Sequence, residues 1–492
     1  MLSMQKRLSY PFYAILSLPA TAMGFALCIQ ISALSWILST QYHLKIDEIG
    51  LVWAAGPIAG ILGQVIIGVI SDKVWMWGGR RRPFILIGGI FAAIMLLALP
   101  NIQNIATALG FKSILGVAIA VALTLDLAIN VSFNPTRSII ADVTPEGDAR
   151  TKGYTWMQTV SGTFGVLAYV IGAIWNNYVL IYSGVFLVLL LGILPSFFIE
   201  EPKELTGNTS EKKTAEVKTP FIEILKLIEP LWGFLLYAVY GITAKLLDFH
   251  PGNFLPEIVC AVVTIIFVLK SLLTKVDSND SVKNGIITYK KILAAHSFTW
   301  IGVQTMFVYL FAYVQCKVFN QATDEATNTQ LGHVISISFL IFNAVAAVLP
   351  AFVLEPITHK IGRVTTHMIC IFSMAASYAL MLFFGFTPMA IYIIMALLGI
   401  GWASTISLPF AIMSQQIDQS RMGLFMGLFN LSVVLPQLVA SLGIAQVINT
   451  APNKSIIFII STICLAISAF LWILVKEEKK PAAVSSVRPS AH

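Results

Sequence analysis

Apolar stretches of about twenty residues, separated by short polar turns, recur along almost the whole chain. They lie near 12–38, 50–70, 83–100, 112–134, 154–175 and 179–199, then at 231–248 and 255–274, and again at 293–318, 331–354, 365–385, 388–412, 422–447 and 455–475. About 20 apolar residues in a helix cross the roughly 30 Å hydrocarbon core of a bilayer, so the pattern predicts about 14 transmembrane helices arranged as six, two and six. Only helices and closed barrels satisfy their backbone polar groups in lipid. Runs of this length therefore specify an all-α polytopic membrane protein.

Composition agrees, with 57% hydrophobic and 11% charged residues. The net charge of +7 would suggest a nucleic-acid partner in a soluble protein. Here the Lys and Arg residues gather in alternate loops, as the positive-inside rule expects, so the charge reports topology and the lipid bilayer is the partner. That reading places both termini in the cytoplasm and the chain, as a multi-pass protein, in the cell (plasma or inner) membrane. The five cysteines are scattered through apolar spans without CxxC spacing and read as packing residues.

Polar segments divide the chain. Residues 1–199 form an N-terminal six-helix bundle, and 200–220, rich in Thr and Lys and bounded by prolines, have linker composition. Residues 221–291 hold an inserted transmembrane hairpin with its linkers, 292–478 a C-terminal six-helix bundle, and 479–492 a disordered tail. Because the hairpin has two members, it leaves the orientation of everything downstream unchanged.

Two internal echoes argue for parallel repeats on either side of it. GVISDKVWMWGGRRRP is matched by EPITHKIGRVTTH, and SFNPTRSIIADVTPEGDAR by ISLPFAIMSQQIDQSR, which sets Pro135 against Pro409 and Arg150 against Arg421. The two halves of major facilitator transporters are related in this way.

Four blocks in order carry a closer likeness: LVWAAGPIAGILGQVIIGVISDKVWMWGGRRRPFILIGGI, DLAINVSFNPTRSIIADV, GIGWASTISLPFAIMSQQ and RMGLFMGLFNLSVVLPQLVASL. On these the chain resembles the sucrose-type proton symporters and, more broadly, the glycoside-pentoside-hexuronide cation symporters of the major facilitator superfamily. The resemblance covers the six-plus-six framework and leaves out the hairpin. It implies a major facilitator fold, proton-coupled sugar symport and an aspartate at the position of Asp126 that takes the proton.

Helix geometry can be asked independently what the charged residues of the fourth span could do. Ionisable side chains at membrane depth usually line a bundle interior or a water-filled path. At 100° per residue, Asn130 and Arg137 fall about 40° and 20° from Asp126, so all three can share one cavity. Asp126 and Arg137 are nonetheless about 16 Å apart along an unbroken helix and cannot pair unless Pro135 breaks it. Near the bilayer midplane, a carboxylate has a charge state responsive to substrate and access, which a proton-coupling site needs; the competing role is a static hydrogen-bonded clamp. Arg137 would anchor a hydroxyl-rich ligand or latch onto Asp142.

Sugar hydroxyls call for neutral donors and acceptors with aromatic faces beside them. Gln30, Asn130, Arg137, Gln158, Asn430 and Gln437 are the candidate substrate residues, and Trp36, Trp53, Trp156, Trp300 and Trp402 could supply stacking. For any single amide, helix-to-helix glue is the competing role. Asp72, Arg80, Arg81, Arg82, Asp142, Arg150 and Arg421 form candidate gate clusters at the cytoplasmic ends, with membrane anchoring as the alternative for the arginines. The chain has no Walker loop, HExxH, paired CxxC or GxSxG, so ATP coupling, hydrolytic chemistry, a metal and a cofactor are not expected, and the chain does not read as an enzyme. The reading is a secondary active transporter that moves a sugar, a sucrose- or maltose-like glycoside or related polyol, with a proton by alternating access. The alternatives are a uniporter or exporter of another small solute, or a transporter-like membrane sensor.

Overall fold

The structure, a computed structural model, describes residues 3–60, 74–144, 148–202, 221–247, 249, 252–275, 281–349, 353–416 and 422–476. It is helical throughout the crossing segments. The first bundle comprises α1 (Tyr10–Ile29, continued by Gln30–Leu34 and Ser35–Thr40), α2 (from Ile46–Trp53), α3 (Arg82–Ala98), α4 (Ile114–Val143), α5 (Asp148–Ile174) and α6 (Asn177–Phe198). The hairpin is α7 (Trp232–Leu246) and α8 (Leu255–Leu273). The second bundle comprises α9 (Ser281–Lys317), α10 (Glu325–Leu349), α11 (Arg363–Phe384), α12 (Pro388–Gln416), α13 (Met422–Leu438, continued by Val439–Ile444 and Ala445–Thr450) and α14 (Ile456–Ile473).

Among the described residues, twelve helices are long and apolar enough to cross a membrane. This refines the expected fourteen. Of the remaining two, α2 runs to the edge of the described residues, and α7 has 15 residues, about 22 Å at 1.5 Å per residue, short of a full crossing. Exposed Leu, Ile, Phe and Val side chains cover the outer faces of α6, α8 and α14, as a lipid-facing surface requires.

Close helix crossings rest on small residues, as is common where lipid removes the hydrophobic drive between helices. A side-chain carbon added to Gly88 of α3 would lie 2.0 Å from Ser132 Oγ of α4, and one added to Gly184 of α6 would lie 2.0 Å from Ile29 of α1. The α7–α8 hairpin packs against the second bundle, where Phe234, Tyr237 and Cys260 join a buried cluster with Tyr289, Phe429 and Leu442. Within it, Gly233 faces Thr264 so closely that an added carbon would sit 2.0 Å from the hydroxyl and 2.5 Å from the Cys260 carbonyl.

Helix α4 runs without interruption through Pro135. The break that would have allowed Asp126 and Arg137 to meet does not occur, so the two stay about 16 Å apart along the axis.

Overpacking a close crossing costs about 1–3 kcal/mol, so Gly233→Val is expected to lower the thermal midpoint of the detergent-solubilised chain. Gly116→Ala, whose added carbon would have Ser113 Oγ at 4.0 Å as its nearest contact, should leave the midpoint unchanged or slightly raised. Fluorescence-detected size-exclusion after heating reads both.

Candidate functional site

The centre of the first bundle is organised by one buried carboxylate. Asp126 is 5% exposed, and both its oxygens accept from the Gln30 side-chain amide, at 3.1 and 3.0 Å. Gly56 lies beyond, where an added carbon would be in ordinary contact with Asp126 Oδ2 at 3.4 Å. Gln30 opens a π-helical turn spanning Gln30–Leu34. Such single-turn insertions bulge one residue out of the α register and are frequent at functional sites; this one occurs where α1 meets Asp126. Asn130 donates to the Asp126 carbonyl at 2.8 Å and so also bonds within its own helix.

Just beyond Gln30, the same segment of α1 reaches the second bundle. Ser32 Oγ lies 3.0 Å from Ser336 Oγ, Ser35 Oγ donates to the Val308 carbonyl at 2.9 Å, and the Trp36 indole donates to the Asn328 carbonyl at 2.8 Å. Ser336 also donates to Asn177 at 2.9 Å, His333 Nδ1 is 2.9 Å from the Ala173 carbonyl, and Tyr169 stacks on Phe339. At Gly50 the bundles approach so tightly that an added carbon would lie 2.2 Å from the Ser441 carbonyl and 2.6 Å from the Tyr309 hydroxyl. All these contacts sit toward the membrane face away from the termini, and they close the space between the bundles there.

Toward the termini the surfaces open. Arg137 and Gln158 are exposed, and a carbon added to Gly24, Gly162 or Gly427 would meet nothing within 4 Å. Polar side chains exposed at membrane depth face water-filled space rather than lipid. Among the described residues, the cleft therefore opens on the side of the termini.

The other candidate residues separate. Arg137 lays its guanidinium 4.4 Å over the Phe133 ring, while Asp142, its expected latch partner, accepts from Arg81 Nε at 2.9 Å. In the second bundle, Gln437 donates to Gln304 at 3.2 Å and Asn430 is half-buried. Trp300 and Trp402 meet edge to face, at 5.9 Å.

The arginine run is held by a residue the sequence reading assigned to the linker. The Glu201 carboxylate accepts from the backbone N–H groups of Arg80, Arg81 and Arg82 at 2.7, 2.7 and 2.8 Å. It caps the start of α3, where an anion meets the positive end of the helix dipole. Arg82 also donates to the Ile199 carbonyl at 2.5 Å. A carbon added to Gly79 would lie 2.3 Å from Glu201, which explains the glycine before the arginines. These bonds join the ends of α3, α4 and α6 within the first bundle. Asp72 and Arg421 lie outside the described residues, as does the side chain of Arg150.

Two six-helix bundles around a cleft closed on one side, with a buried carboxylate beside it, define a membrane transporter. The sequence pattern of the Major Facilitator Superfamily matches residues 16–441, and the chain belongs to that superfamily. It is 23% identical over 453 residues to the sucrose transport protein SUC4 of Arabidopsis thaliana, covering 84% of this chain and 80% of that one. It is 25% identical over 459 residues to the sucrose transport protein SUT2 of Oryza sativa subsp. indica, covering 84% and 82%. A shorter match, 28% over 190 residues, links it to the general alpha-glucoside permease of Schizosaccharomyces pombe, covering 35% of this chain and 34% of the permease. The fold is shared with the xylose transporter XylE from E. coli, solved in an inward-open conformation, at TM-score 0.61 and 14% identity, covering 96% and 97% of the two chains.

The Ser32–Ser336 approach provides a test of the closed side. With the five native cysteines replaced, the pair Ser32→Cys and Ser336→Cys is expected to cross-link on mild oxidation, because the native oxygens already lie at 3.0 Å and disulfide bonding requires side chains this near. Oxidation should abolish solute flux through the double variant, reduction should restore it, and each single variant should be indifferent.

Proposed function

We propose that this protein is a proton-coupled sugar symporter with Asp126 as its proton carrier. The observation that carries the reading is the Asp126–Gln30 pair, a carboxylate buried at the middle of α4 and held by a neutral amide. The sucrose and alpha-glucoside transporters among the relatives support the sugar.

The chemistry follows from the bonds. An ionised Asp126 offers two oxygens to the Gln30 amide, and a protonated one offers an acceptor and a new donor, which loosens the amide's hold. Gln30 begins the π turn, and Ser32, Ser35 and Trp36 of the same segment carry bonds to the second bundle. Proton uptake at Asp126 is thus converted, through α1, into a change in how firmly the far side is closed. The sugar would sit in the cleft between the bundles, with Gln30, Asn130, Arg137 and Gln158 approaching from one side and Asn430 and Gln437 from the other. The Arg80, Arg81 and Arg82 cluster, braced by Glu201 and Asp142, would hold the termini side when the cleft faces the other way. The domain boundaries at 199, 220, 291 and 478, the cytoplasmic placement of the termini and residence in the plasma or inner membrane complete the proposal, the last two on the alternation of basic loops.

Uptake of labelled sucrose, maltose and glucose into proteoliposomes, with and without an inward proton gradient, tests it. The parent should accumulate a sugar above the outside concentration only with the gradient. Asp126→Asn should lose accumulation while retaining exchange of internal for external sugar, since a neutral amide can mimic only the protonated state. Gradient-driven accumulation by Asp126→Asn would remove Asp126 as the carrier, and flux without gradient dependence in the parent would favour a uniporter.

A further inference from the structure

The seam between the hairpin and the second bundle holds a cavity of about 560 Å³, lined by apolar side chains that include Phe234, Ile265, Val268, Phe298 and Leu471. Its end towards the termini is closed, where Val268, Leu272 and Ala294 pack with Phe298 and Leu471. Its other end runs into a second cavity of about 240 Å³, and Tyr237, Phe254, Glu257 and Gln446 line both. The two therefore form one site, with its mouth at the face away from the termini. Along α8 the lining from Glu257 to Leu272 spans about 22 Å at 1.5 Å per residue, more than the roughly 15 Å depth of one leaflet, half of a core of about 30 Å. An apolar cavity does not hold water, and in a bilayer the available occupant is a hydrocarbon chain.

The mouth is polar and incompletely bonded. Glu257 accepts from the Tyr240 hydroxyl at 3.2 Å through Oε1, whereas its Oε2 is buried without a hydrogen-bond partner. Nearly all buried polar groups in proteins are bonded, so an acceptor left open at the edge of an apolar cavity calls for a donor on the occupant. Lys245 lines the same mouth and takes part in none of the ion pairs among the described residues. A cation and an unfilled acceptor in one mouth suit a head group that carries an anion and an N–H donor together. Phosphatidylethanolamine has that chemistry, with a phosphate for Lys245 and a primary ammonium for Glu257, and charge-assisted bonds of this kind are the strong ones. A choline head has no N–H, and a glycerol head has no cation.

We propose that the hairpin and the second bundle seat a phospholipid with a primary-ammonium head, drawn from the leaflet away from the termini, with its ammonium on Glu257, its phosphate on Lys245 and one acyl chain in the apolar seam. The chain fills the space that side chains leave between α8 and the second bundle, and the head completes the bonding of Glu257. The site is separate from the sugar cleft and does not depend on its assignment.

Native mass spectrometry of the full chain, with dioleoyl phosphatidylethanolamine, phosphatidylcholine or phosphatidylglycerol added to the micelles, tests the site. The parent should retain phosphatidylethanolamine about tenfold more than either of the others, the scale of one charge-assisted hydrogen bond. Glu257→Met, which keeps the length of the side chain and removes the acceptor, should bring phosphatidylethanolamine down to the level of phosphatidylcholine. Ala261→Trp, which fills the seam and leaves the polar side chains of the mouth in place, should lower retention of all three lipids and provides an independent arm if the Glu257 variant fails to fold. Equal retention of phosphatidylethanolamine and phosphatidylcholine by the parent would overturn the proposal, as would a preference unchanged in Glu257→Met or retention unaffected by Ala261→Trp. Phosphatidylglycerol retained as well as phosphatidylethanolamine would show that the phosphate alone is read, and would also overturn it.

Discussion

The arrangement turns on a single buried carboxylate. Removing Asp126 from water is expensive, and the protein meets that cost with one neutral amide, from Gln30, in a bond pattern that fits the charged and neutral acid differently. Among the described residues, the ion pairs involve other groups. A cation partner would have fixed the charge; an amide leaves a proton able to cancel it. The location of that amide matters as much as its chemistry, because it opens the π turn of α1 and α1 then continues into the contacts that close one face of the cleft.

Those closing contacts combine hydroxyls, the Trp36 indole and a close glycine approach with apolar packing such as Tyr169 on Phe339. Ser32, Ser35, Ser336 and Asn177 bond across the bundles, and Gly50 permits backbone approach. Interhelical bonds of this kind are worth about 0.6–2 kcal/mol each. Within that closure each polar bond is weak enough to yield alone. The arginine run differs: Glu201 ties three consecutive backbone N–H groups, which makes the turn before α3 a rigid corner of the first bundle.

Much of this was legible in the sequence. The positions of the apolar runs anticipated every crossing helix, because length in a bilayer is set by one physical dimension, and the cost of charge in lipid singled out Asp126. Gln30 was legible as a candidate, though only folding could bring it against Asp126, 96 positions along the chain. What remained hidden depended on packing. Pro135 looked like a helix break, yet α4 passes through it because neighbouring helices support the backbone. Glu201 looked like linker, although a carboxylate immediately after the sixth span and facing a glycine-arginine turn was the available signal. The Arg81–Asp142 pair was hidden for the same reason, since charge clusters in two loops do not reveal which members meet.

The central claim is that Asp126 takes up the proton that accompanies sugar. Infrared difference spectroscopy of the reconstituted protein at neutral pH, recorded on adding sucrose or maltose, tests it most directly. The account predicts a new carbonyl band of a protonated carboxylic acid in the parent, shifted on deuteration and absent in Asp126→Asn. A sugar-induced difference spectrum in which this band is missing from the parent, or persists in Asp126→Asn, would contradict it.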